Sequence, residues 1–109
     1  MGGSVANPDS PLLKYHPLAA DEVEAAFSEY AMVGQEVADG FKAELDHAEK
    51  LVLRSPESWA TYFHGTRGFR FRRYPFVMAY IIREDTPLVI AVAHTRRRLG
   101  YWAERIDDA

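Results

Sequence analysis

Arginine is the residue type in this chain best suited to binding chemistry, and nine arginines lie within residues 67–109. That segment has no lysine and five Asp or Glu residues, a net charge of +4, whereas residues 1–66 have four Lys or Arg against eleven Asp or Glu, a net of −7. Arginine forms bidentate contacts with carboxylates and phosphates and stacks on aromatic rings. The overall charge of −3 therefore conceals a basic half that favours an acidic or polyanionic partner. The alternative is a set of solvated strand positions with local ion pairs.

Two groups of arginines have the spacing of a binding surface. Arg70 and Arg72 alternate with Phe69 and Phe71, so both would lie on the solvent-exposed face of a strand. The run Arg96–Arg98 places three like charges side by side, which is unfavourable unless an acidic group meets them. These arginines are the leading candidates for a functional surface.

Several other chemistries lack the residues that they need. The chain has no cysteine, which excludes disulfides, thiolate nucleophiles and zinc sites built on cysteine. His16, His47 and His64 have no metal-ligand spacing with each other or with carboxylates. His94 follows an apolar run, where a lone histidine is typically structural. No Ser, Thr or Asp stands in a nucleophile motif, and we expect neither a metal nor a cofactor.

Length and composition predict one small globular domain in the cytoplasm. The 109 residues are 48% hydrophobic and 27% charged, as in a folded protein. The longest apolar run, Phe76–Ile82, is too short to cross a bilayer, and no signal peptide is recognisable at the start, so we expect no membrane partner. Residues 1–11 are interpreted as a flexible lead-in, residues 12–106 as the domain and residues 107–109 as a tail.

The first half of the domain predicts a short strand followed by two helices. Leu12–His16 is extended, and Asp21 with Glu24 forms the expected N-terminal cap of the first helix. Gly34 ends this helix, and a second helix continues to residue 54, just before a proline. Because little more than Gly34 separates them, the helices should form an antiparallel hairpin. Gly40 would permit a close crossing of the two helices.

A change of pattern predicts strands in the second half: the first strand alternates with period two, and the next two are apolar on both faces, as in central strands. The expected strands are Phe69–Arg72, Phe76–Ile82 and Leu88–Ala93. A basic loop, His94–Gly100, and a short terminal segment, Tyr101–Ile106, follow them.

These elements predict an α+β fold with two layers. The N-terminal strand and the three-stranded antiparallel meander form one sheet, and the helix hairpin covers one of its faces. The opposite face would carry Arg70, Arg72 and the arginines of the basic loop.

Several motifs occur in a characteristic order: Phe41 and Leu45 with Ser55–Trp59, then Phe71–Tyr80, then Ile90–Arg98 followed by Gly100–Trp102 and Arg105. They resemble, respectively, the second helix and its exit, the strand pair, and the C-terminal ending of the RelE/ParE toxins of bacterial toxin–antitoxin operons. The resemblance covers residues 12–106. It implies the α+β fold that the periodicity also predicts.

The resemblance implies one of two activities, of which the first is catalytic. RelE-like members are ribosome-dependent ribonucleases that orient the 2′-hydroxyl of messenger RNA and neutralise the phosphate with basic side chains. The residues that match these basic positions are Arg70, Arg72 and Arg96. The position of a further phosphate-clamping arginine is Val77, and that of a terminal tyrosine is Trp102, or Tyr101 in a register shifted by one residue. Indole cannot transfer a proton in turnover, so these departures favour a binding protein.

The second activity belongs to the ParE-like branch, which Tyr74-Pro75, His94 and Tyr101-Trp102 resemble more closely. This branch implies inhibition of DNA gyrase by a toxin that is not an enzyme, and no catalytic residue is expected. The expected target-binding residues are Arg70, Arg72, Arg96, Arg97, Arg98, Tyr101 and Trp102. For Tyr101 and Trp102 the alternative is a structural role, in which the two rings cap the core of the sheet. The alternatives are a ribonuclease whose partner is the ribosome with its messenger RNA, and a degenerate member that only binds an antitoxin.

The resemblance also implies a cognate antitoxin as partner. Its C-terminal segment would lay an amphipathic helix along the groove of the helix pair and cover part of the sheet. An acidic tail would neutralise the arginines. The expected contact residues are Phe27, Tyr30, Phe41, Leu45, Arg73 and Tyr80.

Overall fold

The computed structural model describes residues 13–108, so the lead-in expected for residues 1–11 lies outside the described residues. In chain order the elements are β1 (Lys14–Tyr15), α1 (Pro17–Val33), α2 (Gln35–Arg54), a 3₁₀ turn (Phe63–Gly65), β2 (Arg67–Arg70), β3 (Phe76–Arg83), β4 (Thr86–His94) and α3 (Ala103–Asp108). The strands form one sheet in the order β1-β4-β3-β2. β1 is parallel to β4, whereas β2, β3 and β4 form an antiparallel meander. The predicted α+β fold is confirmed.

Helix α1 begins earlier than the sequence indicates. Pro17 is its first residue, and His16 is the N-cap, with Nδ1 accepting the N–H of Leu18 at 3.0 Å. Proline is favoured at the first helical position because no partner is needed there for its missing N–H. The predicted cap at Asp21 and Glu24 is therefore wrong, since both residues lie inside the helix.

The two helices form the predicted hairpin, with Gly34 between them. The N–H of Gly34 donates to the carbonyl of Tyr30 at 3.0 Å, and the rings of Tyr30 and Phe41 lie 5.5 Å apart across the hairpin. The expected role of Gly40 is corrected: a Cβ there would lie 2.3 Å from the Tyr74 hydroxyl oxygen. That hydroxyl donates to the carbonyl of Val37 at 2.7 Å. Gly40 thus admits the Tyr74 side chain to the helix surface.

The main core lies between the helix hairpin and one face of the sheet. Phe41 and Leu45 of α2 and Met78 and Tyr80 of β3 are fully buried in it. The hydroxyl of Tyr80 donates to the carbonyl of Pro56 at 2.5 Å, which satisfies the polar end of this buried ring. Every second residue of β3 therefore faces the helices and the residues between them face the other side, as expected of a central strand that is apolar on both faces.

The strands differ from the prediction at β2. This strand covers Arg67–Arg70. The N–H of Phe71 still bonds to the carbonyl of Phe76 at 3.0 Å. Arg72, however, lies in the turn that leads to β3. At the other end of the meander, a two-residue turn joins β3 to β4. Glu84 and Asp85 both have positive φ there, 54° and 64°, which is typical of a tight type I′ hairpin.

A bulge in β4 explains why its apolar pattern has no clean alternation. Ala79 pairs with Ala91 and Tyr80 pairs with Val89, so Ile90 has no partner on β3. The additional residue lets Val89 and Val92 both face the helices, while Ile90 and Ala91 both face the opposite side.

That opposite side carries a second core and is not the basic face predicted from the sequence. Trp102, which is 1% exposed, packs on the small side chains of Ala79, Ala91 and Ala93. The ring of Tyr62 stacks on the indole at 5.5 Å with an interplanar angle of 14°. Within residues 13–108, the buried Trp102 Nε1 has no hydrogen-bond partner. The predicted terminal segment, Tyr101–Ile106, is helical from Ala103, and α3 extends into two residues of the expected tail.

Glu22 of α1 joins the helix layer, the sheet and the C-terminal segment. One carboxylate oxygen accepts the backbone N–H of Val92 at 3.0 Å. Val92 lies on β4, past the residues that pair with the short strand β1. The other carboxylate oxygen accepts the hydroxyl of Tyr101 at 2.5 Å and Nη2 of Arg105 at 2.9 Å. Arg105 also donates from Nη1 to the carbonyl of Ile90 at 3.1 Å. The Glu22–Arg105 pair therefore covers the part of the β4 edge that β1 leaves open.

Replacing Gly40 by alanine should destabilise the protein, although alanine is the better helix former by about 1 kcal/mol. The methyl group would overlap the Tyr74 hydroxyl, and overpacking of this kind costs about 1–3 kcal/mol. The measurement is denaturant unfolding of Gly40→Ala, alone and combined with Tyr74→Phe, which should recover part of the loss. The control is Gly34→Ala, where the nearest atom is 3.9 Å away and the change should stay under about 0.5 kcal/mol. A more stable Gly40→Ala would contradict this packing.

Replacing Glu22 by glutamine should lower the free energy of unfolding by about 3 kcal/mol, because a largely buried Arg105 loses its counter-charge. The two side chains are only 17% and 13% exposed. In a double-mutant cycle with Arg105→Met, the two changes should be strongly non-additive. Lys42→Gln, which breaks an exposed pair with Asp46, is the matched control and should cost about 0.5 kcal/mol or less. Equal losses for Glu22→Gln and Lys42→Gln would refute the role of this network.

Candidate functional site

The topology brings both arginine groups to the same end of the sheet. Since β2, β3 and β4 are antiparallel, the end of β2, the start of β3 and the end of β4 are neighbours, with Phe76 paired to His94. The backbone N–H of Thr95 donates to the carbonyl of Pro75 at 2.9 Å, which joins the β2–β3 turn to the loop after β4. We call this surface the arginine end; its six arginines, all exposed, are Arg70, Arg72, Arg73, Arg96, Arg97 and Arg98.

The guanidinium groups of the arginine end have no acidic partner among residues 13–108. Glu44 of α2 is the acidic side chain that contacts this surface, and it binds backbone N–H groups there instead of guanidinium groups. Its carboxylate accepts the N–H of Arg72 at 3.1 Å and that of Arg73 at 2.9 Å. The turn is thereby fixed while the charges of its arginines stay available.

The loop after β4 is ordered in a similar way by His94. Nδ1 of His94 accepts the backbone N–H of Arg96 at 3.0 Å, and the ring packs edge-on against Phe76 at 5.2 Å. The guanidinium of Arg97 lies 4.0 Å from the ring centroid of Tyr101, a cation–π contact. His94 therefore positions the loop. Its place at the end of an apolar run predicts a structural role, but not this particular one.

Tyr101 is held at the centre of these contacts. Burial raises the pKa of its phenol, and the hydrogen bond to Glu22 raises it further, while Arg105 and Arg97 partly oppose this shift. The phenol consequently stays protonated at neutral pH, with its proton donated to Glu22. A phenol held in this way is poorly placed to transfer a proton to a reacting group.

The expected target-binding residues therefore separate into two groups. The loop arginines and Tyr101 lie together at the arginine end, whereas Trp102 is buried in the second core and presents no surface to a partner. Arg70 is exposed on β2 next to the buried Phe69, as the alternation predicts. Arg72 lies instead in the turn beside α2, so the two arginines do not share a strand.

A groove of about 570 Å³ lies beside the arginine end, between α2 and the β2–β3 turn. Its floor is apolar and aromatic and its rim is charged; it is lined by Gly40, Ala43, Glu44, His47, Phe69, Phe71, Arg72 and Arg73. Arg73 is the one expected antitoxin-contact residue in this lining. Sequence reasoning missed Phe69 and Phe71 as lining residues, because their alternation indicates only that they point inward.

The other five expected antitoxin-contact residues lie elsewhere. Phe41, Leu45 and Tyr80 are core residues with no exposed surface. Phe27 and Tyr30 are half-buried on α1 and pack against the same core.

The described part of the chain has neither a metal site nor a membrane-spanning helix. It contains no group of three or more histidine and acidic side chains arranged to hold a metal ion. None of its helices combines the length and the apolar character that a bilayer crossing requires.

Comparisons with known proteins identify the family. Residues 13–99 match the ParE toxin family of type II toxin–antitoxin systems, parDE. A solved structure of the chromosomal ParDE TA system from P. aeruginosa has the same fold, with a TM-score of 0.68 at 18% sequence identity over 78% of this chain and 96% of the other. No curated protein matches the chain. Because the family match spans most of its length, this protein belongs to the ParE toxin family of type II toxin–antitoxin systems.

Proposed function

We propose that this chain is a toxin that arrests bacterial growth by inhibiting DNA gyrase in the cytoplasm, and that it acts by binding rather than catalysis. The observation that carries the proposal is the arginine end, where six exposed guanidinium groups have no acidic partner among residues 13–108. Unpaired arginines on a fixed backbone are suited to a partner that supplies negative charge. Membership of the ParE family supports this assignment over the other branch of the RelE/ParE resemblance.

The arrangement of the arginine end offers little support for ribonuclease chemistry. Cleavage at a 2′-hydroxyl needs groups that move protons as well as groups that neutralise phosphate. Tyr74 and Tyr101 are the phenols of the arginine end, and their protons are donated to the carbonyl of Val37 and to Glu22. At the position expected for a further clamping arginine, Val77 is buried. Arg70, Arg72 and Arg96 can bind an anion. The histidines beside them are His47 in the groove and His94, whose Nδ1 is occupied by the backbone N–H of Arg96.

The groove beside α2 is the surface that we assign to the antitoxin. Its floor, Phe69 and Phe71, can receive apolar side chains of an amphipathic helix, and Arg72 and Arg73 on the rim can pair with acidic residues of that helix. Both arginines also belong to the arginine end. An antitoxin seated in the groove would therefore neutralise part of the surface that meets the target.

Purified toxin should inhibit supercoiling by gyrase and cause cleaved DNA to accumulate. Arg96→Ala combined with Arg98→Ala should reduce the potency at least about tenfold, the effect of losing about 1.4 kcal/mol of binding free energy. Arg54→Ala, an exposed arginine in the last turn of α2, is the matched control and should keep full potency. Unimpaired supercoiling without accumulation of cleaved DNA would contradict the assignment of gyrase as the target.

Two further readouts separate the alternatives to gyrase inhibition. Codon-positioned cuts in messenger RNA, detected by primer extension after induction and lost in Arg96→Ala, would identify a ribonuclease instead. Normal growth on expression without an antitoxin would identify a member that has kept only antitoxin binding.

Filling the groove should separate neutralisation from toxicity. Ala43 is exposed in the groove lining, so Ala43→Arg adds bulk and positive charge there without disturbing the core. We expect the variant to arrest growth normally but to be protected poorly by the antitoxin encoded beside it, measured by colony counts on co-expression. Ser28→Arg, at an exposed position of α1, should remain protected. Full protection of Ala43→Arg would place the antitoxin elsewhere.

A further inference from the structure

The arginine end has the surface chemistry of a nucleic-acid interface. The aromatic side chains near its two loops are already engaged. Tyr74 bonds to the carbonyl of Val37, Phe76 and Trp102 are buried, and the half-buried Tyr101 bonds to Glu22 and lies under Arg97. Leu99, 60% exposed, is the one large apolar side chain that these loops present. Interfaces between proteins are typically centred on apolar residues with aromatic anchors. Interfaces with nucleic acids are more polar and far more positively charged.

The backbone of the arginine end is fixed without using its charged groups. Glu44 holds the β2–β3 turn, His94 holds the loop after β4, and the bond from Thr95 to Pro75 joins the two. Arg97 is the exception, because its guanidinium lies on the ring of Tyr101. Within residues 13–108, the other five guanidinium groups keep their hydrogen-bonding capacity. Because the backbone is already ordered, binding of a polyanion costs little conformational entropy.

The charge distribution gives such binding a direction. The arginine end is basic, whereas residues 1–66, which include the helix hairpin, carry a net charge of −7. A polyanion is attracted by one end of the molecule and repelled by the helices. Long-range forces would therefore orient the protein before contact.

We infer that the arginine end binds the phosphate backbone of duplex DNA, so that the toxin contacts the DNA segment handled by gyrase. The biological setting rests on the proposed function, but the contact itself does not require gyrase. Arg96 and Arg98 are the principal loop contacts, since Arg97 is engaged by Tyr101. Arginine–phosphate contacts carry little sequence information and release counterions, so the binding is independent of sequence and strongly dependent on salt.

Fluorescence anisotropy with a short labelled duplex of arbitrary sequence, at roughly 50 to 200 mM salt, tests this inference. Each phosphate contact contributes about −0.9 to the slope of log K against log salt. Arg96→Ala combined with Arg98→Ala should make the slope shallower by about 2 and weaken binding at low salt at least tenfold. Lys50→Ala combined with Arg54→Ala removes two exposed cations near the C-terminal end of α2 and should change neither quantity. Unfolding curves confirm that each variant is folded.

No binding of the duplex at low salt, or equal losses in both double variants, would overturn the inference. Binding of poly-glutamate but not of DNA would also overturn it and assign the arginine end to an acidic protein surface. If the toxin poisons gyrase but does not bind DNA, the inference is wrong and the proposed function stands. DNA binding that depends on Arg96 and Arg98, without gyrase inhibition, supports the inference and removes the proposed function.

Discussion

The carboxylate of Glu22 is the interaction on which the arrangement of the C-terminal half depends. It projects from the helix layer to the edge of β4 and there meets a backbone N–H, a phenol and a guanidinium. Each of these groups would be expensive to bury without a partner. Through Tyr101 the same carboxylate reaches Arg97, so the order of the loop after β4 is tied to a residue of the first helix. A single acidic side chain thus links the helix layer, the edge of the sheet and the arginine end.

The arginine end is a consequence of antiparallel topology and of how its loops are held. Two groups of arginines more than twenty positions apart in the chain meet because the strands between them run back and forth once. Glu44 and His94 then bind backbone N–H groups, so the loops are rigid while the guanidinium groups remain exposed. Self-repulsion among these charges is unfavourable in the free protein. A polyanionic partner would relieve it, which gives binding an electrostatic advantage.

Much of the fold could be predicted from the sequence because its helices and strands have clear periodicities. The hairpin around Gly34 and the order of the strands follow from apolar spacing and from glycine and proline positions. The start of α1 could not be predicted in this way, since a histidine rather than an Asp or Ser accepts the first free N–H. The second core could be predicted only as an alternative, in which Tyr101 and Trp102 cap the sheet instead of meeting a target. Small residues such as Ala79 and Ala91 reveal that something fits above them, but not which side chain does.

The candidate site was only partly predictable for a related physical reason. Residue type identified the arginines, and the antiparallel meander brings their two groups together, but the turn after β2 ends the alternation that the sequence indicates. Alternation placed Arg72 on a sheet face, whereas the turn after β2 carries it to the groove. Phe41, Leu45 and Tyr80 have the apolar character of a binding groove and of a core alike, and burial alone distinguishes the two.

The short length of β1 has a further consequence for how the molecule behaves among its own copies. An open strand edge is a template on which another chain can add a strand and begin to aggregate. β1 covers β4 for two residues only, and beyond it Glu22 and Arg105 occupy the groups that an incoming strand would need. On the other side of the sheet, Ala60 bonds to Gly68, and Arg70 places a charge where β2 is still open. Each edge of this small sheet is thereby partly blocked against the addition of a strand from another copy.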